Sequence, residues 1–208
     1  MAEDDRGGFV NVVTTFEREV TGPFPFGGTM AAPGTCWLDI ETRKVETAPH
    51  PWPFRLRWQP FMVGVGTLTG GVASVAIFEG EEGDLIDWLN DYLPDLGTIR
   101  YAATRDFDRD VLCGHFTNAR RGRERTPGLW PHLRLRDYDW INLRDRMEFV
   151  PANQITRGLR AQDPIEFSKD VPAIWKAGGR EDVRRHCLID VLEMMAKDAP
   201  MELDWRLP

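Results

Sequence analysis

The sequence predicts a three-layer α/β domain, in which a mixed five-stranded sheet carries helices on both faces. Apolar runs of strand length and segments with helical spacing follow one another as strand, strand, strand, helix, strand, helix, strand and then helices. The 208 residues, 42% of them hydrophobic, are enough for one sizeable core. We therefore assign residues 31–208 to one domain and residues 1–30, which contain a Gly- and Pro-rich stretch, to an N-terminal extension.

The first three strands are expected to form an antiparallel meander. They cover residues 35–40, 61–68 and 72–78, and the Gly-Gly pair at 70–71 is a turn signal between the last two. Within the extension, residues 9–13 have the composition of a further short strand. The later elements are predicted in this order: a helix at 81–93, a strand at 98–103, a helix at 107–117, a strand at 139–143, short helices and loops at 150–180, and a long helix at 180–197.

Composition indicates a protein of a reducing compartment. The three cysteines, Cys36, Cys113 and Cys187, are odd in number and widely spaced, which fits free thiols. The chain has no apolar run of membrane-spanning length, and its acidic start lacks the apolar core of a secretory signal. We expect a cytoplasmic protein that does not associate with membranes.

The charge balance limits the ways in which the chain could bind nucleic acid. A formal net charge of -7 argues against non-specific adhesion to it. The same charge is compatible with a nuclease, because metal-binding acids add negative charge when their ions are not counted. One segment, residues 118–136, is locally rich in arginine and is either a solvated loop or a rim that contacts phosphates.

Two carboxylates in the first predicted strand form the first candidate site. Asp39 and Glu41 stand two residues apart, so in a strand both side chains point to one face while Leu38 and Ile40 point to the other. Burying unpaired acids is costly, and a Mg²⁺ or Mn²⁺ ion bound by them would offset that cost. The alternative is a strand end whose two acids face water.

Further acids occur where the fourth strand gives way to a helix. Asp106, Asp108 and Asp110 lie at this junction. An acid at a helix N-terminus is favoured by the free backbone N–H groups and by the helix dipole, so capping explains one of the three. Phe107 would anchor the turn in the core while Asp108 points out over the sheet edge.

The long final helix carries a polar stripe. His186, Asp190, Glu193 and Lys197 recur at helical spacing and therefore share one face. This stripe is either a solvated face or a site at which His186 and Asp190 reach toward the same ion and water.

Together these motifs resemble those of the DEDD superfamily of 3′–5′ exonucleases, which are DnaQ-like enzymes with a ribonuclease-H-like fold. The resemblance covers about residues 35–197. Three motifs occur in the family's order and in matching elements, namely Asp39-x-Glu41 in a strand, Phe107-Asp108 opening a helix, and His186-x-x-x-Asp190 in a C-terminal helix.

The resemblance implies two divalent ions, four carboxylate ligands and a base. Asp39, Glu41, Asp108 and Asp190 would hold two Mg²⁺ or Mn²⁺ ions that stabilise the attacking and leaving oxygens of an in-line displacement. His186 would orient or deprotonate the attacking water. The product would be a nucleoside 5′-monophosphate released from a 3′ end.

Two departures from the family pattern leave alternatives open. Members with a catalytic His usually place it five residues before the last Asp, whereas His186 lies four before Asp190, at the spacing of the Tyr subgroup. The second motif also lacks the Asn that usually precedes its Phe-Asp. Asp106 and Asp110 therefore remain rivals of Asp108 as the ligand from this motif.

The substrates that the resemblance implies are 3′ ends of single-stranded DNA or RNA, or short oligonucleotides. Thr42 and Arg43 directly follow the first motif and are candidates for the pocket of the terminal nucleotide. The net negative charge favours short substrates, or recruitment through a protein partner or a homo-oligomer. Two other functions are compatible with the same fold: a non-catalytic nucleic-acid-binding or adaptor protein, and a metal-dependent endonuclease.

Overall fold

The chain folds into a mixed six-stranded sheet with helices packed against it. The structure is a computed structural model, and it describes residues 11–19, 34–46, 56–93, 97–103, 107–112, 138–144, 154–199 and 207. The elements of this part of the chain are β1 (Asn11–Glu19), β2 (Thr35–Glu46), β3 (Leu56–Thr69), β4 (Val72–Glu79), α1 (Glu82–Tyr92), β5 (Thr98–Tyr101), α2 (Phe107–Leu112), β6 (Asp139–Asn142), α3 (Gln154–Arg160), a 3₁₀ turn (Ser168–Asp170), α4 (Val171–Lys176) and α5 (Arg180–Asp198).

The strand order across the sheet is β1-β4-β3-β2-β5-β6. The predicted antiparallel meander is confirmed, because β3 pairs antiparallel with both β2 and β4. Gly70 and Gly71, between β3 and β4, have φ values of 59° and 82°, which a tight turn between twisted strands requires. The strands β5 and β6 are parallel to β2, so the half of the sheet beyond β2 is built by crossover connections.

The described residues form six strands of the sheet, whereas the sequence predicts five. The additional strand is β1, which pairs antiparallel with β4 at the edge of the sheet. Phe16 of β1 is 1% exposed and belongs to the hydrophobic core. Residues 11–19 of the expected extension are therefore part of the sheet. The sequence of β1 mixes Thr, Glu and Arg with few apolar residues, so its local pattern is weak, and its partner lies some sixty residues away in the chain.

The paired strands β2 and β3 extend beyond the lengths that the sequence predicts. Their register shifts between Glu41 and Thr42, where Thr42 faces Pro60. Proline has no backbone N–H to donate, and an irregularity of the ladder accommodates it within the strand. The predicted strand at 98–103 ends at Tyr101, and the helix predicted from residue 107 is described as far as Leu112. The basic segment 118–136 lies outside the described residues.

Helices cover both faces of the sheet. On one face, Leu38 and Ile40 of β2 pack in a core with Leu85 and Leu89 of α1. On the other face, the core contains Trp37, Met62 and Ile77 from the strands and Val183, Val191 and Leu192 from α5. This arrangement agrees with the three layers expected from the sequence. None of the helices among the described residues is long and apolar enough to cross a membrane.

Both ends of α5 are anchored to the sheet by buried carboxylates. Near its N-terminus, Arg184 donates to both oxygens of Glu79 in β4, at 2.9 and 2.7 Å. At its C-terminal end, Asp198 accepts a hydrogen bond of 2.9 Å from the Trp37 indole and forms an ion pair with Arg100. Glu79 and Asp198 are both buried, so each depends on its partners to offset the cost of burial.

Between these anchors, α5 lies close to β3. A Cβ atom at Gly64 would lie 2.8 Å from Val191 Cγ2 and 2.9 Å from Cys187 Sγ, and one at Gly66 would lie 2.6 Å from Met195 Sδ. Cβ atoms are not found so close to other heavy atoms, so the two glycines allow the close approach of the helix. Since Gly64 pairs with Asp39, this contact fixes the height of α5 above the first candidate motif.

Candidate active site

The first two acids of the site come from β2. Asp39 and Glu41 point toward α5, as the alternation of the strand predicts, while Leu38 and Ile40 pack in the opposite core. Glu41 is only 6% exposed. The Asp39 atom Oδ2 is buried and has no hydrogen-bond partner among the described residues. Glu41 is therefore buried and Asp39 is only partly exposed, so the pair does not form an open strand end.

Two further groups of the site, His186 and Asp190, come from α5. His186 Nε2 lies 3.8 Å from Glu41 Oε1 and 3.5 Å from Asp190 Oδ2. One ligand atom from each of these three residues lies within 4.8 Å of the others, and the same holds for Asp39, Glu41 and Cys187. His186 is 2% exposed, so this part of the polar stripe is buried and does not form a solvated face.

The fourth acid, Asp108, lies in the first turn of α2 and is 5% exposed. Its charge raises the pKa values of both Asp39 and Glu41, as expected for acids that share a site. Of its two rivals, Asp106 lies outside the described residues, and the side chain of Asp110 is not among those described.

Burial raises the pKa of every acid in this cluster, and repulsion between the acids adds to the rise for Asp39, Glu41 and Asp108. Burial is the largest cause of the raised pKa of Asp39, followed by the charges of Asp190 and Asp108. Burial and then the charge of Asp39 raise the pKa of Glu41. Burial and the charge of Asp190 raise the pKa of Asp108 to about 7. The cluster therefore favours either protons or a cation at neutral pH.

The donor atoms of the cluster fit a hard divalent cation. Carboxylate oxygens are the ligands that Mg²⁺ and Mn²⁺ prefer, and the free Oδ2 of Asp39 is available to such an ion. The nearby thiol of Cys187 is a poor ligand for these ions, because burial and the charges of Asp39 and Glu41 raise its pKa and keep it protonated. Among the described residues, Asp39, Glu41 and Asp190 are thus carboxylates whose spacing could hold a metal, and the charge of Asp108 acts on the same cluster.

Two further residues of the site were not predicted from the sequence. Asp163 lies 2.8 and 3.0 Å from the second ring nitrogen of His186, through its two carboxylate oxygens. Arg160 at the end of α3 lies 2.9 Å from Asp163 and 2.6 Å from Asp190. Arg160 also contacts Glu193 at 2.5 Å, so it covers the polar stripe of α5. Because both residues lie in a segment without a family motif, only their i, i+3 spacing relates them in the sequence.

The two candidates for nucleotide binding lie differently. Thr42 is buried in β2. The Arg43 guanidinium points away from the acid cluster. It donates to Gln59 at 3.1 Å and forms an ion pair of 3.4 Å with Glu81, directly before α1. The structure therefore brings together Asp39, Glu41, Asp108, His186 and Asp190, and it directs Arg43 elsewhere.

Comparison with known proteins identifies no relative, so the assignment of a function depends on the geometry of the site. No family model matches the sequence, and neither the curated proteins nor the solved structures with which it was compared gave a match.

Proposed function

We propose that the protein is a metal-dependent 3′–5′ exonuclease of the DEDD type with a ribonuclease-H-like fold. One observation carries the proposal. Four buried or partly buried acids from three separate elements, Asp39, Glu41, Asp108 and Asp190, converge around a buried His186, and burial together with neighbouring acids raises the pKa of each. A folded protein gains nothing from this repulsion unless a cation relieves it.

The proposed reaction is hydrolysis of the phosphodiester bond at a 3′ end. Divalent ions held by the four acids would supply positive charge to the phosphate and its reacting oxygens. His186 presents Nε2 to the acid cluster, where it can accept a proton from the attacking water. The bond between phosphorus and the 3′ oxygen then breaks, and a nucleoside 5′-monophosphate leaves.

Two features of the whole domain support a nuclease site over a cluster of acids without function. The mixed sheet with helices on both faces agrees with the fold that the motifs imply. The acids also lie on the elements that the resemblance assigns to them: two on a strand, one at the start of a helix and one on the last helix. Acids that were merely solvated would have no reason to converge from these distant segments.

The proposal is tested with a single-stranded oligonucleotide labelled at either end. With Mn²⁺ or Mg²⁺, the 5′-labelled strand should shorten in single-nucleotide steps, and the 3′-labelled strand should release labelled mononucleotide at once. EDTA should stop both reactions. Separate DNA and RNA substrates measure the preference for the sugar, and a circular single strand should remain uncut.

Matched variants connect the activity to the site. Asp190→Asn should lower the rate by several orders of magnitude, because it removes a ligand charge while conserving shape. Asp87→Asn, an exposed acid on α1, should leave the rate unchanged. Failure to shorten either nucleic acid would exclude the exonuclease, and cutting of the circle would indicate an endonuclease instead.

A further inference from the structure

The two ring nitrogens of His186 have different surroundings. Nε2 faces Glu41 and Asp190 at 3.8 and 3.5 Å, is buried, and has no hydrogen-bond partner in the part of the chain that the structure describes. Nδ1 lies 2.8 Å from one carboxylate oxygen of Asp163 and 3.0 Å from the other. The ring thus joins the acid cluster on one side to Asp163 on the other.

The carboxylate of Asp163 is fixed in place from two directions. Its Oδ2 lies 2.9 Å from Arg160 Nη1, and its Oδ1 accepts a 2.9 Å hydrogen bond from the backbone N–H of Ile165. The side chain is 4% exposed, and Ile165 is itself buried in the core. Asp163 is therefore part of a packed arrangement, unlike an exposed ion pair whose contribution is small.

The contact with Asp163 favours a proton on Nδ1 of His186. An ionised carboxylate can only accept hydrogen bonds, so the nitrogen facing Asp163 must carry hydrogen. In the neutral imidazole, the other nitrogen then has a free lone pair. Nε2 makes no hydrogen bond to a described residue, and under the proposed function it faces the side of Glu41 and Asp190 on which the attacking water would lie.

We propose that Asp163 is a positioning residue, which holds His186 in the Nδ1–H tautomer with Nε2 free toward the acid cluster. The catalytic role of Asp163 rests on the proposed function, whereas its effect on the tautomer does not. Arg160 contributes by fixing Asp163 and Asp190 through the same guanidinium group, so that the orienting acid and the acid of α5 keep their separation. Without Asp163, the ring can turn or change tautomer and donate Nε2–H to Glu41 or Asp190.

The first test uses ¹⁵N NMR of the metal-free protein at pH 8, without substrate. The signals of the His186 ring are identified by their loss in His186→Ala. The expected result is a protonated Nδ1 and an unprotonated Nε2 in the wild type, with a change of tautomer in Asp163→Asn. A protonated Nε2 in the wild type, or an unchanged tautomer in Asp163→Asn, would overturn the proposal.

The second test uses kinetics on a short oligonucleotide. In Ser-His-Asp enzymes, replacing the orienting Asp by Asn lowers kcat about 10⁴-fold, and general bases typically contribute about 10²–10⁴. We expect Asp163→Asn to lower kcat by about 10²-fold or more, while KM changes by less than about threefold. Asp163→Glu, which keeps the carboxylate, should recover most of kcat and the wild-type tautomer. A loss of equal size in Asp163→Glu and Asp163→Asn would contradict an orienting role.

The chain offers a matched control in Asp198→Asn. Asp198 is also a buried carboxylate that contacts a ring N–H and an arginine, those of Trp37 and Arg100, but at the far end of α5. This variant should lower thermal stability without changing the His186 tautomer. If it changes the tautomer as Asp163→Asn does, general loosening of α5 explains the effect and the positioning role fails.

The two tests separate this inference from the proposed function. The tautomer is measured without metal, nucleic acid or turnover, so it reports on Asp163 even where no nuclease activity is found. An active nuclease with an unaffected tautomer in Asp163→Asn refutes the inference alone. Because the wild-type tautomer is measured on the unaltered protein, the first test stands even where Asp163→Asn does not fold.

Discussion

At the scale of single residues, the buried acids of the site destabilise the metal-free protein once they are charged. Asp108 has an ordinary pKa of 3.8 that rises to about 7 in the folded state, through burial and the charge of Asp190. A group whose pKa is raised by folding favours the folded state below its unfolded pKa, and this contribution is lost as the pH rises through the folded pKa. The loss for Asp108 therefore falls between about pH 4 and pH 7.

We predict that Asp108→Asn stabilises the metal-free protein at pH 8 and has little effect near pH 4. The amide conserves the shape of the side chain and cannot ionise. The variant therefore keeps the stability that the wild type loses as Asp108 becomes charged. One pKa unit corresponds to about 1.4 kcal/mol, so a rise from 3.8 to about 7 predicts a gain of about 4 kcal/mol in the free energy of unfolding at pH 8. Urea denaturation in EDTA at both pH values measures it, with Asp87→Asn as an exposed control. Lower stability of Asp108→Asn at pH 8 would show that the charge of Asp108 is compensated within the fold.

Added Mn²⁺ should stabilise the protein more strongly at pH 8 than at pH 5. A ligand that binds only the folded state stabilises it by mass action, about 2.7 kcal/mol at a free concentration 100-fold above Kd. At pH 5 the raised pKa values of Asp39 and Glu41 leave more of their protons bound, and these compete with the ion. Thermal unfolding with and without Mn²⁺ provides the measurement. The shift should disappear in Asp190→Asn and persist in Asp87→Asn; equal shifts in the two variants would place the ion elsewhere.

At the scale of the secondary-structure elements, the position of α5 over β3 assembles the site. Gly64 pairs with Asp39 on β2 and lies beneath Val191 and Cys187 of α5. A side chain at Gly64 would displace the helix that carries His186 and Asp190. The geometry of the acid cluster thus depends on a residue that has no functional group.

We predict that Gly64→Ala destabilises the protein by about 1–3 kcal/mol and weakens Mn²⁺ binding, since overpacking forces backbone shifts of this cost. Gly83→Ala is the matched control, because nothing lies within 4 Å of its added Cβ atom. Gly83 lies inside α1, where alanine should stabilise the helix by about 0.5–1 kcal/mol. Denaturation and a metal titration of both variants test this. If Gly64→Ala retains full stability and metal binding, the close approach of α5 does not control the site.

The sequence is informative about elements whose signals are local. Alternation in β2, the glycine turn before β4 and the helical spacing of α1 and α5 all depend on neighbouring residues, and these elements form as predicted. Asp163 is different, because its role arises from a contact with His186, twenty-three positions away. No periodicity encodes such a contact, and an Asp followed by Pro in a loop has turn formation as its ordinary explanation.

At the scale of the whole molecule, β1 joins residues near the start of the chain to the main core. Phe16 is 1% exposed and packs in the same core as Trp37 and α5. Pairing of β1 also covers one edge of β4, which would otherwise present unpaired backbone groups. Residues 11–19 therefore contribute to the stability of the domain.

We predict that Phe16→Ala lowers the free energy of unfolding by about 3–5 kcal/mol, the usual range for removing a buried phenylalanine. Glu17→Ala, at the exposed neighbouring position, should change it by less than about 0.5 kcal/mol. Chemical denaturation of the two variants provides the comparison. Similar stabilities for Phe16→Ala and the wild type would show that β1 folds independently of the core.

The buried carboxylates Glu79 and Asp198 tether opposite ends of α5 to different strands. A helix held in this way cannot tilt or slide to accommodate a larger guest without breaking a buried ion pair. His186 and Asp190 thus form the rigid wall of the site. Arg160 of α3 holds Asp190 and Asp163 as well, so adaptation to different substrates would fall to groups outside this network. Under the proposed function, selectivity is then expected to evolve at positions that hold neither α5 nor Asp163, while the helix that would supply the chemistry stays as it is.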